Sequence, residues 1–264
     1  MNKKIMSMLS GLIVILLMSV SFVIAAIPEG PSTFDVKAST RRSVYPKASH
    51  NAYAGNVTHL VVAAQTVTQS WQGYVGNVTG TITLDDSSNY TLYDWSLGDP
   101  EGEIYATNAS TVSWATGNVI CWNWSDPVGS ELQLTDIEGE LGMAADDVDG
   151  VNETFTCDMC DERAISTTHT NFYVGGQLID GSQTGDGDGP CPVTNLYNGT
   201  HVAGAHEEVI LYEDTQNAII YTSIIEIDKN GYNNQTWDFE MIVGEDGHNG
   251  DTGTTTYFFY VELE

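Results

Sequence analysis

The chain has 264 residues, 36 of them Asp or Glu against 8 Lys or Arg, for a formal net charge of −28. That excess excludes a nucleic-acid binder that tracks phosphates with a basic face, and it argues against docking on anionic lipid headgroups. An apolar share of 41% rules out wholesale disorder, and the length accommodates one large β domain or two ordinary ones.

Lys3 and Lys4 open the chain, and Ile5–Ile24 is a charge-free apolar run followed by Ala25 and Ala26. A short positive region, an apolar stretch and small residues form a signal-peptide layout. The run is also long enough to span a bilayer if it is not cut. Residues 1–26 are therefore expected to be a signal peptide or an N-terminal membrane anchor. They would be the only contact with a membrane, and the remainder would be extracellular or at the cell surface. Residues 27–54 read as a flexible spacer, with Pro28, Pro31 and Pro46 among Ser, Thr and Ala and no sustained periodicity. Lys37, Arg41, Arg42 and Lys47 lie in it, whereas residues 48–264 carry 34 acids against 2 bases. A basic stalk joins an acidic body.

The body, residues 55–264, is rich in Thr, Val, Tyr, Ile and Trp and is punctuated by Gly, Asn and Asp, which is β composition. A first strand is expected over His59–Ala64. Gly73–Leu84 alternates, turns at Asp85–Asn89 and returns over Tyr90–Leu97 as a hairpin. Further strands are expected at Gly102–Ala106, Phe172–Ile179, Glu208–Tyr212, Ala218–Ile227, Trp237–Val243 and Tyr257–Leu263. The last of these is expected to complete its own sheet. One short helix is expected near Glu131–Leu141, where Leu132, Leu134, Ile137 and Leu141 form a helical stripe that Gly142 ends. Short strands with frequent turns predict a mainly β protein: an antiparallel β-sandwich, Ig-like or jelly-roll-like, with one short helix.

Asn-x-Ser/Thr sequons stand at Asn56, Asn77, Asn89, Asn108, Asn123, Asn152, Asn198 and Asn234. Random placement of the Asn, Ser and Thr present would give roughly three, so the excess after an export signal predicts N-glycosylation at these eight sites. Four cysteines, Cys121, Cys157, Cys160 and Cys191, are an even number in an exported chain, which favours disulfides. Cys121–Cys191 with Cys157–Cys160 ranks ahead of a crossed pairing, and metal ligation by the Cys157/Cys160 C-x-x-C motif ranks last. A redox role would need that motif at the start of a helix in a βαβ unit, and a zinc site would need a second close pair. The surroundings supply neither.

Two groups of motifs carry a resemblance. One runs from Gly55-Asn56-Val57-Thr58 through Trp71, Gly76-Asn77-Val78-Thr79-Gly80, Tyr93-Asp94-Trp95 and Tyr105 to Trp114. The other runs from Glu207-Glu208-Val209-Ile210-Leu211-Tyr212 through Trp237-Asp238-Phe239 to Tyr257–Leu263. Over residues 50–264 the chain resembles an uncharacterised family of exported surface proteins of DPANN-group archaea. The resemblance implies no activity and no catalytic residues. It implies a shared cysteine near Cys121 and another in a Cys-Pro step like Cys191-Pro192, which supports their pairing and leaves Cys157 and Cys160 as an addition in this chain.

No residue pattern points to catalysis: Gly-x-Ser-x-Gly, His-Glu-x-x-His and the phosphate loop are all missing from the sequence. Acid pairs such as Glu101/Glu103 are expected by chance in so acidic a chain. No resident cofactor is expected beyond Ca²⁺, for which Asp186 and Asp188 offer alternate hard oxygen ligands, with a solvated loop as the alternative. Asp146–Gly150 is a second acidic turn. His201, His206 and Glu207 near Cys191 are weak metal candidates because of their spacing. The aromatic residues Trp71, Tyr74, Tyr93, Trp95, Trp114, Trp122 and Trp124 are expected mainly in the core. Trp122 and Trp124 are the least core-like, since Asn123 between them must reach solvent. The expected function is that of a non-enzymatic cell-surface structural or adhesive protein, which would self-associate or meet other envelope proteins and glycans. The alternative is a carbohydrate- or cation-binding β-sandwich module.

Overall fold

Two neighbouring runs in the chain's second half, each with a core of consecutive apolar residues, form the centre of the molecule. In the computed structural model, which describes residues 26–124, 132–144, 147–155, 168–182, 191–198, 206–247 and 253–264, Glu207–Glu213 and Ala218–Ile224 pair as neighbouring strands. The strands in chain order are β1 (Trp71–Gly76), β2 (Thr81–Asp85), β3 (Thr91–Ser96), β4 (Gly102–Thr107), β5 (Val119–Cys121), β6 (Phe172–Val174), β7 (Gln177–Ile179), β8 (Val193–Asn195), β9 (Glu207–Glu213), β10 (Ala218–Ile224), β11 (Lys229–Asn230), β12 (Thr236–Trp237), β13 (Phe239–Gly244) and β14 (Phe258–Leu263). Two helices, α1 (Leu134–Glu140) and α2 (Val151–Thr154), complete the described elements. The protein is mainly β, and its strand pairs are antiparallel.

The main sheet has the order β14-β4-β10-β9-β5, with β8 also on the outer edge of β9. Both of its faces are covered, which is why β9 and β10 are buried in nearly every position and hold the unbroken runs Val209–Tyr212 and Ala218–Tyr221 rather than alternating. Ala106, Ile210, Tyr212, Ile219 and Tyr221 face one side, where Met241 and Val243 of the β1/β13 ribbon and Ile137 and Val151 of the helices pack on them. Tyr105, Val209, Leu211 and Ile220 face the other, against Phe172, Val174 and Ile179 of the β6/β7 hairpin. Two side-chain bonds tie the ribbon to the sheet: Ile242 N donates to Glu208 Oε2 at 2.9 Å, and Ser223 Oγ to the Glu240 carbonyl at 2.8 Å.

Several expected elements differ. His59–Ala64 forms no strand and is exposed, because no other segment pairs with it among the described residues. The expected Gly73–Leu84 strand breaks at Asn77–Gly80, sending β1 to β13 while β2 pairs with β3. The run Phe172–Ile179 is split by Gly175-Gly176, with Gly175 at φ 58°, into the tight β6/β7 hairpin. A second helix, α2, was not expected; it is a single turn that follows Gly150. The expected helix is present as α1, closed by Gly142 at φ 62°. There Gly142 N donates to Gly139 O and Met143 N to Glu138 O, a Schellman closure. The spacer begins docked: Glu29 bridges Val261 on the outer edge of β14, and the Phe34 and Phe259 rings stand 4.9 Å apart. The expected signal or anchor lies outside the described residues, apart from Ala26.

Gly102 starts β4 where β14 crosses close above it. Its φ is +129°, and a Cβ there would overlap the Glu262 carbonyl oxygen. Gly102→Ala is expected to destabilise the protein by about 2 kcal/mol or more through strain and displacement of β14. Denaturant unfolding checks this; an unchanged midpoint would contradict the crossing geometry.

Candidate functional site

The structure brings Cys121 and Cys191 together as a disulfide, with Cα atoms 4.8 Å apart and a sequence separation of 70. The bond has a clear topological role. β5 lies opposite Leu211–Glu213 of β9, and β8 lies opposite Glu207–Val209 on the same edge. Pro192 O accepts from Ile210 N at 2.9 Å between them. β5 and β8 thus form one interrupted edge strand, and the disulfide joins its halves across the long excursion that covers both faces of the sheet. Cys191 N donates to His169 Nε2 at 3.2 Å, and burial holds the His169 pKa below its ordinary value. Cys157 and Cys160 lie outside the described residues.

The asparagine sequons are reachable. Asn56, Asn77, Asn89, Asn108 and Asn234 are exposed, and Asn123, Asn152 and Asn198 are half-buried. The tryptophans beside Asn123 are a correction to expectation. Trp122 and Trp124 are 1% and 7% exposed, stack edge-on at 5.1 Å, and belong to the core. Alternation carries on from β5: Val119 and Cys121 join one core cluster, Ile120 and Trp122 the other, and Trp124 returns to the face of Trp122.

Outward aromatic surface lies instead on β2 and β3. Ile82 stands opposite Trp95 and Leu84 opposite Tyr93, while Thr81 and Thr83 stand opposite Ser96 and Asp94. One face of the hairpin is therefore apolar and open: Leu84, Tyr93 and Trp95 are 50%, 58% and 49% exposed, while the other face carries Thr81, Thr83 and Asp94 with an exposed Leu92. The Tyr93 and Trp95 rings are 4.8 Å apart. Asp86 closes the turn, its Oδ1 accepting from Ser88 N at 2.8 Å and Tyr90 N at 3.0 Å. The hairpin pairs with no third strand among the described residues.

A second outward element is the extended segment 36–68. It doubles back at Tyr53–Asn56, where Gly55 takes φ +84° and Asn56 N donates to Tyr53 O at 3.2 Å. Arg42 Nη2 donates to Gln65 O at 2.9 Å, and the Arg42 guanidinium lies 4.6 Å from the centre of the Tyr45 ring. The two legs form an arm whose Val44, Val61 and Val62 are 91%, 90% and 82% exposed.

Buried acids are the other unusual feature. Glu103, considered in the sequence beside Glu101, finds its partner on β14: it stands in register with Glu262, and the two are 3% and 1% exposed. Glu101 is exposed. Tyr105 Oη donates to Glu262 Oε2 at 3.0 Å, and Gly175 N donates to both Glu262 oxygens at 3.0 and 3.1 Å. Burial first, then the Glu264 and Glu262 carboxylates, push the Glu103 pKa up to about 9; burial raises Glu262 to about 7. On the opposite face Glu208 is fully buried, and desolvation holds its pKa well above the carboxylate range. His206 is also fully buried, its pKa pushed down to about 4 chiefly by that burial. Sequence spacing could not reveal the Glu103–Glu262 pair, whose members lie on strands far apart in the chain.

Among the described residues no group of three or more His, Cys, Asp or Glu side chains is placed to hold a metal ion. Asp186, Asp188 and His201 lie outside those residues. Glu207 Oε2 accepts from Thr170 N at 3.0 Å. In the second acidic turn Asp147 Oδ2 accepts from Ala144 N at 2.6 Å, and Asp149 Oδ2 accepts from Thr68 Oγ1. A cavity of about 390 Å³ beside α1 is lined by Asn108, Ile137, Glu140 and Tyr257 among others. Comparison with family models, with curated proteins and with solved structures finds no match.

Proposed function

We propose that this is an exported, N-glycosylated cell-surface protein, structural or adhesive and without catalytic activity, that works by self-association or by meeting other envelope components. The observation that carries the reading is apolar surface turned outward on two projecting elements, the β2/β3 hairpin and the 36–68 arm, in a molecule whose sheet is otherwise covered on both faces. Large unpartnered apolar patches on soluble proteins mark interaction sites. The accessible sequons and the surface-protein resemblance support the same reading, with an Ig-like or jelly-roll-like sandwich as the finer description of the body. Intact-mass and peptide mapping of the native protein are expected to show glycan on several of the eight sequon asparagines. An unmodified native polypeptide would remove the glycoprotein part.

A second reading, a carbohydrate-binding module, is favoured by one feature: the adjacent exposed rings of Tyr93 and Trp95. A glycan array with the native protein tests it, and loss of a signal in Trp95→Ala would support it.

A further inference from the structure

We propose that the 36–68 arm of one copy docks on the apolar face of the β2/β3 hairpin of a second copy, making a head-to-tail contact. This deepens the self-association reading and rests on it. Two observations identify the occupant as another copy of this chain. The first is charge. Residues 36–84 contain no Asp or Glu and hold Lys37, Arg41, Arg42 and Lys47, whereas residues 85–264 hold 34 acids and 2 bases. The receiving hairpin carries Asp85 and Asp86 at its turn end, next to Leu84 and Tyr93, and Asp94 on its other face. An arm with cations beside exposed valines and a hairpin with carboxylates at the turn end of its exposed rings are complementary in both respects.

The second observation is that each element lacks what it needs. An isolated two-stranded hairpin is marginal in water and gains from a third strand or a cover. The stretch His59–Ala64 reads as a strand in sequence yet pairs with no strand among the described residues and is exposed. Supplying it to a neighbour's hairpin adds main-chain pairing and buries Leu60 and Val62 against Tyr93 and Trp95. Donor and acceptor are different surfaces, so the contact is heterologous and propagates into chains rather than closing in a dimer. Opposite charges at the contact make it salt-sensitive.

Sedimentation velocity of the full exported protein over a concentration series is the test. The wild type is expected to form a ladder of species that grows with concentration and weakens about tenfold in apparent affinity from low to high salt. Trp95→Asp, on the acceptor, and Leu60→Asp with Val62→Asp, on the donor, are each expected to be monomeric. Both sites are exposed, and unchanged thermal unfolding would show that the variants fold. An equal mixture of the two variants is expected to give dimers and nothing larger, since one intact donor meets one intact acceptor. Variants that assemble like the wild type would overturn this assignment while leaving self-association standing. A wild type that is monomeric throughout would overturn both. A Trp95→Asp variant that loses glycan-array signal with unaltered assembly would overturn the assignment in favour of a sugar platform.

Discussion

Thermal unfolding is expected to occur at its highest temperature near pH 5 and to move steadily lower toward pH 9. The cause is the buried pair Glu103 and Glu262, whose native pKa values of about 9 and about 7 lie above the value of about 4.3 for an exposed Glu. Between the unfolded and folded pKa values the native state holds protons that the unfolded state has released. Stability therefore falls as pH rises, by about 1.4 kcal/mol per pH unit for each carboxyl that stays protonated only in the fold. Glu262 contributes up to about 7 and Glu103 up to about 9, and Glu208 adds to the same trend from the other face. His206 has the opposite sign. Its native pKa of about 4 lies below the ordinary value, so the stability it contributes is present above pH 6.5 and is lost as pH falls toward 4. It opposes the carboxyls in that window without cancelling several of them. Glu103→Gln keeps the neutral shape at every pH. It is expected to remove about one proton from the slope between pH 5 and 8, leaving the midpoint at pH 5 close to that of the wild type. Tyr105 and Glu264, which face the pair, are unchanged in that variant. Calorimetry from pH 5 to 9 on both proteins decides the matter; a midpoint that rises over this range, or a slope indifferent to the substitution, would show that the pair is ionised in the fold.

Replacing Cys121 and Cys191 together by Ser is expected to cost about 4 kcal/mol, the chain-entropy value for a loop of this length. For a domain of this size that corresponds to a midpoint roughly 10 °C lower. The topology gives the loss a location. Without the bond, β8 and β5 are held on β9 by short ladders of three residues, Val193–Asn195 and Val119–Cys121, and the β6/β7 hairpin by side-chain packing alone. Hydrogen exchange is therefore expected to accelerate first in β8, β6 and β7, ahead of β9 and β10. Uniform acceleration through the whole sheet would show that the edge strand and the central strands open as one unit. The double substitution is preferable to reductant because it leaves Cys157 and Cys160 as they are.

How much of this was legible in the sequence depends on how local each signal is. Short apolar runs, Val209–Tyr212 and Ala218–Tyr221, announced β9 and β10 because a strand buried on both faces needs apolar residues at successive positions. The α1 stripe with Gly142 behind it specified a helix and its end, since both the 3.6-residue period and the left-handed cap are properties of a few neighbouring residues. The even cysteine count, read together with the expectation of export, brought the Cys121–Cys191 pairing within reach. What only the tertiary structure decided is which surfaces find a cover. His59–Ala64 has strand composition, but pairing is a property of a partner, and no described segment supplies one. Trp122 and Trp124 looked exposed beside a sequon and are buried, whereas Tyr93 and Trp95 looked like core and face outward. The alternation is the same in both places; the difference is that helices and sheet close over the first pair and nothing described closes over the second. Glu103 and Glu262 meet because β4 and β14 are paired across most of the chain's length. A residue's type and neighbours dictate its local geometry, but its burial, and with it its protonation and its availability to a partner, is set by segments far away in the sequence.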